Sequence, residues 1–171
     1  MSFSDFYNSI ASPELKTVAR HWNEIRGSRP IPAWTDIHPR AITRQLPIIW
    51  SYTYDLEADS FIGRLAGEEI KCIFGSSFRD VPMTALYPSD YFTALFDRSK
   101  HVVREPAFFH GAGHVFRHLG RAEVGERIIM PFAPAEALGG GMWGATYYPH
   151  RVGKSRPEVD LSEEAETWFS L

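Results

Sequence analysis

A single cysteine, Cys72, among 171 residues excludes an intramolecular disulfide and a cysteine-rich zinc site. Neither sign of charge is in surplus: 18 basic and 21 acidic residues are mixed along the chain and leave a net charge of −3. The concentrated positive field that a phosphate backbone requires is therefore missing, and nucleic acid is not an expected partner. No stretch reaches the roughly 18 consecutive apolar residues of a membrane-spanning helix. The opening MSFSDFYNSI has neither a basic start nor a continuous apolar run, so a secretory leader is not expected and the chain is assigned to the cytoplasm. Two nucleophile and phosphate signatures are also lacking. There is no G-x-S-x-G, and Gly139-Gly140-Gly141 is not followed by Lys-Ser/Thr, so that run reads as a hairpin turn.

What is present is apolar matter, 44% of the chain with 14% aromatic, enough for one packed domain with flanking segments. Ser12-Pro13-Glu14 supplies an N-cap, a proline at the first helical position and an early acid, and Gly27 closes that helix. Its stripe of Leu15, Val18, Ala19, Trp22 and Ile25 needs a partner surface, either the domain's own sheet or a second subunit. Phe3, Phe6, Tyr7 and Ile10 repeat the spacing and predict a short preceding helix. The segment RPIPAWTDIHP, Arg29 to Pro39, is an extended connector because its prolines block helix, and a short helix is expected from about Pro39 to Gln45.

The run IIWSYTY after Pro47 is β-branched and aromatic and pairs, across a turn at Asp55 to Asp59, with a strand that begins at Phe61. The fifteen residues FIGRLAGEEIKCIFG change period midway. Alternation places Phe61, Gly63 and Leu65 on one side and Ile62, Arg64 and Ala66 on the other, and Gly67 then turns the chain into a helix opened by Glu68 and Glu69. A long helix is predicted from Pro88 to Arg104, with Tyr91, Phe92, Leu95, Phe96, Ser99, Val102 and Val103 on one face. Strand-like runs follow at Ala107 to His110 with Gly113 to Leu119, at Glu126 to Phe132 and at Gly141 to Tyr147. From Arg151 the chain is polar and acidic, a tail that either frays or docks through Trp168 and Phe169.

The motifs HWNEIRGSRPIPAWTDIHPRAI from His21, LPIIW from Leu46, FIGRLAGEEI from Phe61, FGSSFRDV from Phe74 and IIMPFA from Ile128, in that order, resemble the alphaproteobacterial stand-alone PAS family. The likeness covers most of residues 13–148. It implies an α+β fold: a five-stranded antiparallel sheet with helices on one face enclosing a small cavity, preceded by an N-terminal helical extension. The corresponding division is 1–38 for extension and connector, 39–148 for the PAS-like core and 149–171 for a C-terminal tail. Members of the family look like sensory and regulatory modules. With no kinase, cyclase or DNA-binding segment in this chain, output is expected through a signalling partner protein.

Several residues invite a sharper chemistry. His110, His114 and His118 have H-x3-H-x3-H spacing, but on a strand four residues span about 13 Å at roughly 3.3 Å each. Only His110 and His114, meeting across a turn at Gly111 to Gly113, could share a metal, and cross-strand or surface histidines are the preferred reading, so no metal is expected. Cys72 stands before Gly75 rather than after the glycine of a flavin-photoreceptor motif and reads as a buried small hydrophobe. His101 lies on the long helix where a haem ligand would be needed, yet its phase turns it outward. Haem and flavin are both disfavoured, and any cofactor is left unnamed.

Arg64, a guanidinium in mid-strand, must reach solvent, an acid such as Glu68 or Asp55, or an anionic ligand, with the ion pair preferred. Trp50, Tyr52, Tyr54, Phe92, Phe96 and Trp143 are read first as core and second as the aromatics that would line a cavity if one is open; all of these but Trp50 form, with Arg64, the expected ligand-binding set. Leu15, Val18 and Trp22 are expected at a homodimer interface. The resulting expectation is a non-enzymatic module that binds a small molecule, a signalling partner or both. Its rival is a pure interaction and dimerisation module with a closed core and no ligand.

Overall fold

Helix α2, Pro13–Arg26, starts where its caps dictate: the Ser12 hydroxyl accepts from the Leu15 amide at 3.3 Å, and Gly27 ends it at φ 57°, a left-handed backbone that glycine adopts without strain. The computed structural model describes residues 2–75, 77–86, 89–118, 121–134, 140–149 and 164–171. Ahead of α2 lies α1, Phe3–Ser9, as the aromatic spacing predicts. Leu15, Val18 and Trp22 are completely buried, and what buries them is the chain's own sheet together with α1. The expected dimer stripe is thus spent within one chain. Trp22 also donates its ring N–H to the Pro131 carbonyl at 2.9 Å, so its one polar atom is satisfied inside the core.

The sheet has six antiparallel strands: β1 Ile49–Asp55, β2 Ser60–Ala66, β3 Ala107–His118, β4 Arg121–Phe132, β5 Gly141–Tyr147 and β6 Ala165–Ser170. Their spatial order is β2-β1-β5-β4-β3-β6. The first five form the expected sheet, and the tail supplies the sixth along the outer edge of β3. Glycines 111 and 113 do not make a turn. β3 runs straight through them, so His110 and His114 stand apart on one strand, and among the described residues no group of three histidine, cysteine or acidic side chains could hold a metal. Of Tyr91 and His118 only the backbone is described.

β2 departs from simple alternation at one residue. Ser51 faces Leu65 and Tyr52 faces Gly63, which leaves Arg64 as the extra residue of a bulge. The slip reverses the phase, so Ala66 is buried with Phe61 while Leu65 is exposed, against the expected grouping of Leu65 with Phe61. Helix α3, Glu68–Phe74, follows Gly67 and ends at Gly75 with φ 76°. Cys72 lies on its outer side and is exposed. The expectation of a buried thiol fails because Ile70 is the side chain that α3 turns inward.

Helices cover both faces of the sheet. On one, α1 and α2 press Phe6, Leu15 and Trp22 onto Ile49, Phe108, Ile128 and Trp143. On the other, α3 and α4, Ser89–Arg104, bring Ile70, Leu95 and Val102 onto Trp50, Tyr52, Phe109, Ile129 and Met142. β1, β3, β4, β5 and β6 feed both cores through their two-residue period, whereas β2 gives its buried Phe61 and Ala66 to the α4 side. In β5, for example, Met142 points to the α4 side and Trp143 to the α2 side.

Candidate functional site

Between the sheet and the α3–α4 wall a cavity remains, bordered by Trp50, Tyr52, Phe78, Leu95 and Met142, with Arg127 and Thr146 as polar wall. Its free space is about 20 Å³ for the centre of a water molecule, room for about one water. Ring packing explains the closure: Tyr52 stacks on Phe78 with centroids 5.2 Å apart and planes 5° from parallel, and Trp50 lies edge-on to Tyr52 at 6.0 Å. The Trp50 N–H is bonded to the Thr146 hydroxyl at 2.9 Å.

Next to this cavity the chain buries two guanidinium groups. Arg127, on β4, donates Nε to Glu164 Oε1 at 3.0 Å and Nη2 to Oε2 at 2.5 Å, a two-pronged carboxylate grip. Arg98, on α4, brings Nη1 to 3.1 Å from the same carboxylate, pairs through Nη2 with Glu166, and lies 4.5 Å over the Phe109 ring. Side-chain exposures of 9%, 8% and 7% for Arg98, Arg127 and Glu164 make this a desolvated network, in which losing one partner strands a charge. Gly111 creates the slot. A Cβ there would lie 2.0 Å from Glu164 Oε1, so a side chain at this position would push the carboxylate aside.

On the opposite face a second carboxylate acts as a latch. Glu126 accepts from the Ala11 and Ser12 amides, both at 2.7 Å, and lies 2.7 Å from His110 Nε2. Burial pushes its pKa up, but the bonds from His110 and the two amides outweigh burial and hold it below the usual glutamate range. The start of α2 is thereby fixed to β4.

The other residues singled out in the sequence are dispersed. Tyr52 borders the cavity; Tyr54 is fully buried nearby, donating its hydroxyl to Asp59 and accepting from Arg104 at 2.9 Å. Phe92 and Phe96 are partly buried on α4, their rings 5.2 Å apart, with Phe96 edge-on to Phe61. Trp143 belongs to the other core, against Phe132 and His21. Arg64 sits with its guanidinium 4.2 Å over the Trp34 ring, where burial and the nearby Arg79 charge pull its pKa down. No ion pair of Arg64 with Glu68 or Asp55 forms among the described residues. The bulge turns the side chain toward the N-terminal connector and the ring takes the acid's place. His101 is directed away from the core, as its phase predicts, and is capped by Trp168 at 4.4 Å.

Sequence reading missed Arg98, Arg127 and Glu164. An arginine in an otherwise apolar strand, ERIIMPF, and the Glu-x-Glu-x-Trp spacing of the tail were the available signals; their meeting across a fold could not be read from either alone.

A family model described as PAS domain matches residues 10–145, from the end of α1 into β5 and short of β6. No curated protein and no solved structure matches the chain.

Proposed function

Because the chain belongs to the PAS domain family, a family of sensory and regulatory modules generally without catalysis of their own, we propose that it regulates a partner protein by docking. One observation carries this reading: among the described residues, the cavity on the α4 side of the sheet, where a ligand would lie between sheet and helices, is narrowed by Trp50, Tyr52, Phe78 and their aliphatic neighbours to a space for about one water. A signal then consists of a shift in the packing of α4 or of the N-terminal helices, which changes the surface a partner meets.

Arg127 and Thr146 in the cavity wall favour a second reading, in which a small polar molecule opens this space, with Tyr52 against it and Tyr54, Phe92 and Phe96 behind. Native and denaturing mass spectra of freshly purified protein, with an absorbance scan of the same sample, separate the two. The docking reading expects the mass of the bare chain and no visible band. A non-covalent extra mass or a chromophore would overturn it in favour of the ligand reading.

A further inference from the structure

We propose that the outer edge of β3 is a docking groove for an extended acidic–aromatic segment of a partner protein, with β6 as its resident occupant. This rests on the docking reading and gives the partner its chemistry.

Three features of the groove specify what it accepts. First, the edge itself offers a main-chain ladder: Ala107 to Ala112 pair in antiparallel register with Ser170 to Ala165. Such a ladder is indifferent to side chains, so a foreign strand can form it equally well. The family match ends at residue 145, so the strand that covers this edge lies outside the matched PAS core.

Second, the groove demands acid. Among the described residues, Glu164 and Glu166 are the carboxylates paired with Arg98 and Arg127. When β6 leaves, Arg98 and Arg127 give up their charged bonds to Glu164 and Glu166, bonds that an incoming carboxylate restores. Gly111 keeps the slot for that carboxylate open.

Third, the groove ends in an aromatic notch. Trp168 stands edge-on to Phe109 at 5.0 Å and to His101 at 4.4 Å, while Phe169 crosses to the other face and meets Phe6 at 5.7 Å. Glu164, Glu166 and Trp168 fall on one side of a strand at its two-residue period. A fitting partner segment is therefore Glu-x-Glu-x-Trp/Phe in extended form, and it competes with β6.

The test is fluorescence anisotropy of a labelled peptide, EAETWFSL, titrated with the full chain carrying Thr167→Pro. That change removes a ladder N–H from the resident strand alone. Binding about tenfold or more tighter than to the wild-type chain is expected, with Arg98→Ala in the same background, or a peptide with glutamine for both glutamates, weakening it by about tenfold. Should Thr167→Pro not melt cooperatively, Trp168→Ala serves as the milder opening of the groove. Absence of peptide binding to a folded variant, or binding indifferent to Arg98 and to the peptide's acids, overturns the proposal. A wild-type dimer that excess peptide converts to monomer also overturns it, by making the occupant a second copy's β6. Failure here removes the groove alone, since the docking reading is judged separately by the native mass.

Discussion

The two faces of this one sheet are closed by different means. On the α2 face, Phe6, Leu15 and Trp22 interlock with Phe108 and Trp143, and the latch at Glu126 holds a helix start by two main-chain bonds. On the α4 face a one-water space persists beside Arg127, and Arg98 and Arg127 grip Glu164 at the start of β6, whose Phe169 reaches through to the other core. Buried ion pairs add little net stability but punish a wrong partner severely, so on the proposal above the α4 face is the one that discriminates what covers the β3 edge.

The largest effect that sharpens this contrast is expected from Trp22→Ala. Removing a fully buried indole with its hydrogen bond should cost about 3–5 kcal/mol in urea unfolding; a loss of only about 1 kcal/mol would mean that α2 is not anchored as described. Next comes Gly111→Ala, whose Cβ collides with Glu164. It should release β6 and cost about 1–3 kcal/mol, with faster amide exchange confined to β6 and the adjoining part of β3. Exchange accelerated equally in α2 would break the distinction between the faces.

A smaller effect concerns His21. Burial lowers its pKa, reinforced by His38 and opposed by Glu24, and its Nε2 accepts from the His38 amide at 3.2 Å. The unfolded chain therefore binds the proton more readily, so stability should fall as pH drops below about 6.5 and level off above it. His21→Gln should flatten that slope, as melting curves from pH 5 to 8 will show, and an unchanged slope would place its origin elsewhere. The smallest effect is expected from alkylating Cys72. Exposed on α3, it should react in the native protein with stability unchanged within about 0.5 kcal/mol, and slow reaction would contradict its placement.

Much of the architecture was legible because local chemistry specifies it. The Ser12-Pro13 cap and Gly27 bounded α2, the aromatic run after Pro47 announced β1, and the apolar face of α4 announced a helix lying on a sheet. The rest depends on distant pairing. Trp22 and its neighbours form the same stripe whether the partner is a sheet or a subunit, so only the fold shows which one covers them. Bulging at Arg64 is invisible in alternation until Ser51 and Tyr52 are set opposite. β6 is short, and the Glu-x-Glu-x-Trp spacing at its start does not by itself mark a strand; the arginines that pair with Glu164 and Glu166 lie on α4 and β4. Among the expected ligand-contacting aromatics, Trp143 faces the opposite core because the parity of β5 depends on its register with β1 and β4.

Native-state hydrogen exchange across the whole chain tests most directly the claim that one face is sealed and the other exchangeable. Amides of β6, and those of β3 that pair with it, should open by a low-energy local route, while α2 and the β4–β5 pairing open only with global unfolding. If β6 proved as protected as β4, or if α2 opened first, the division of labour between the two faces would be wrong.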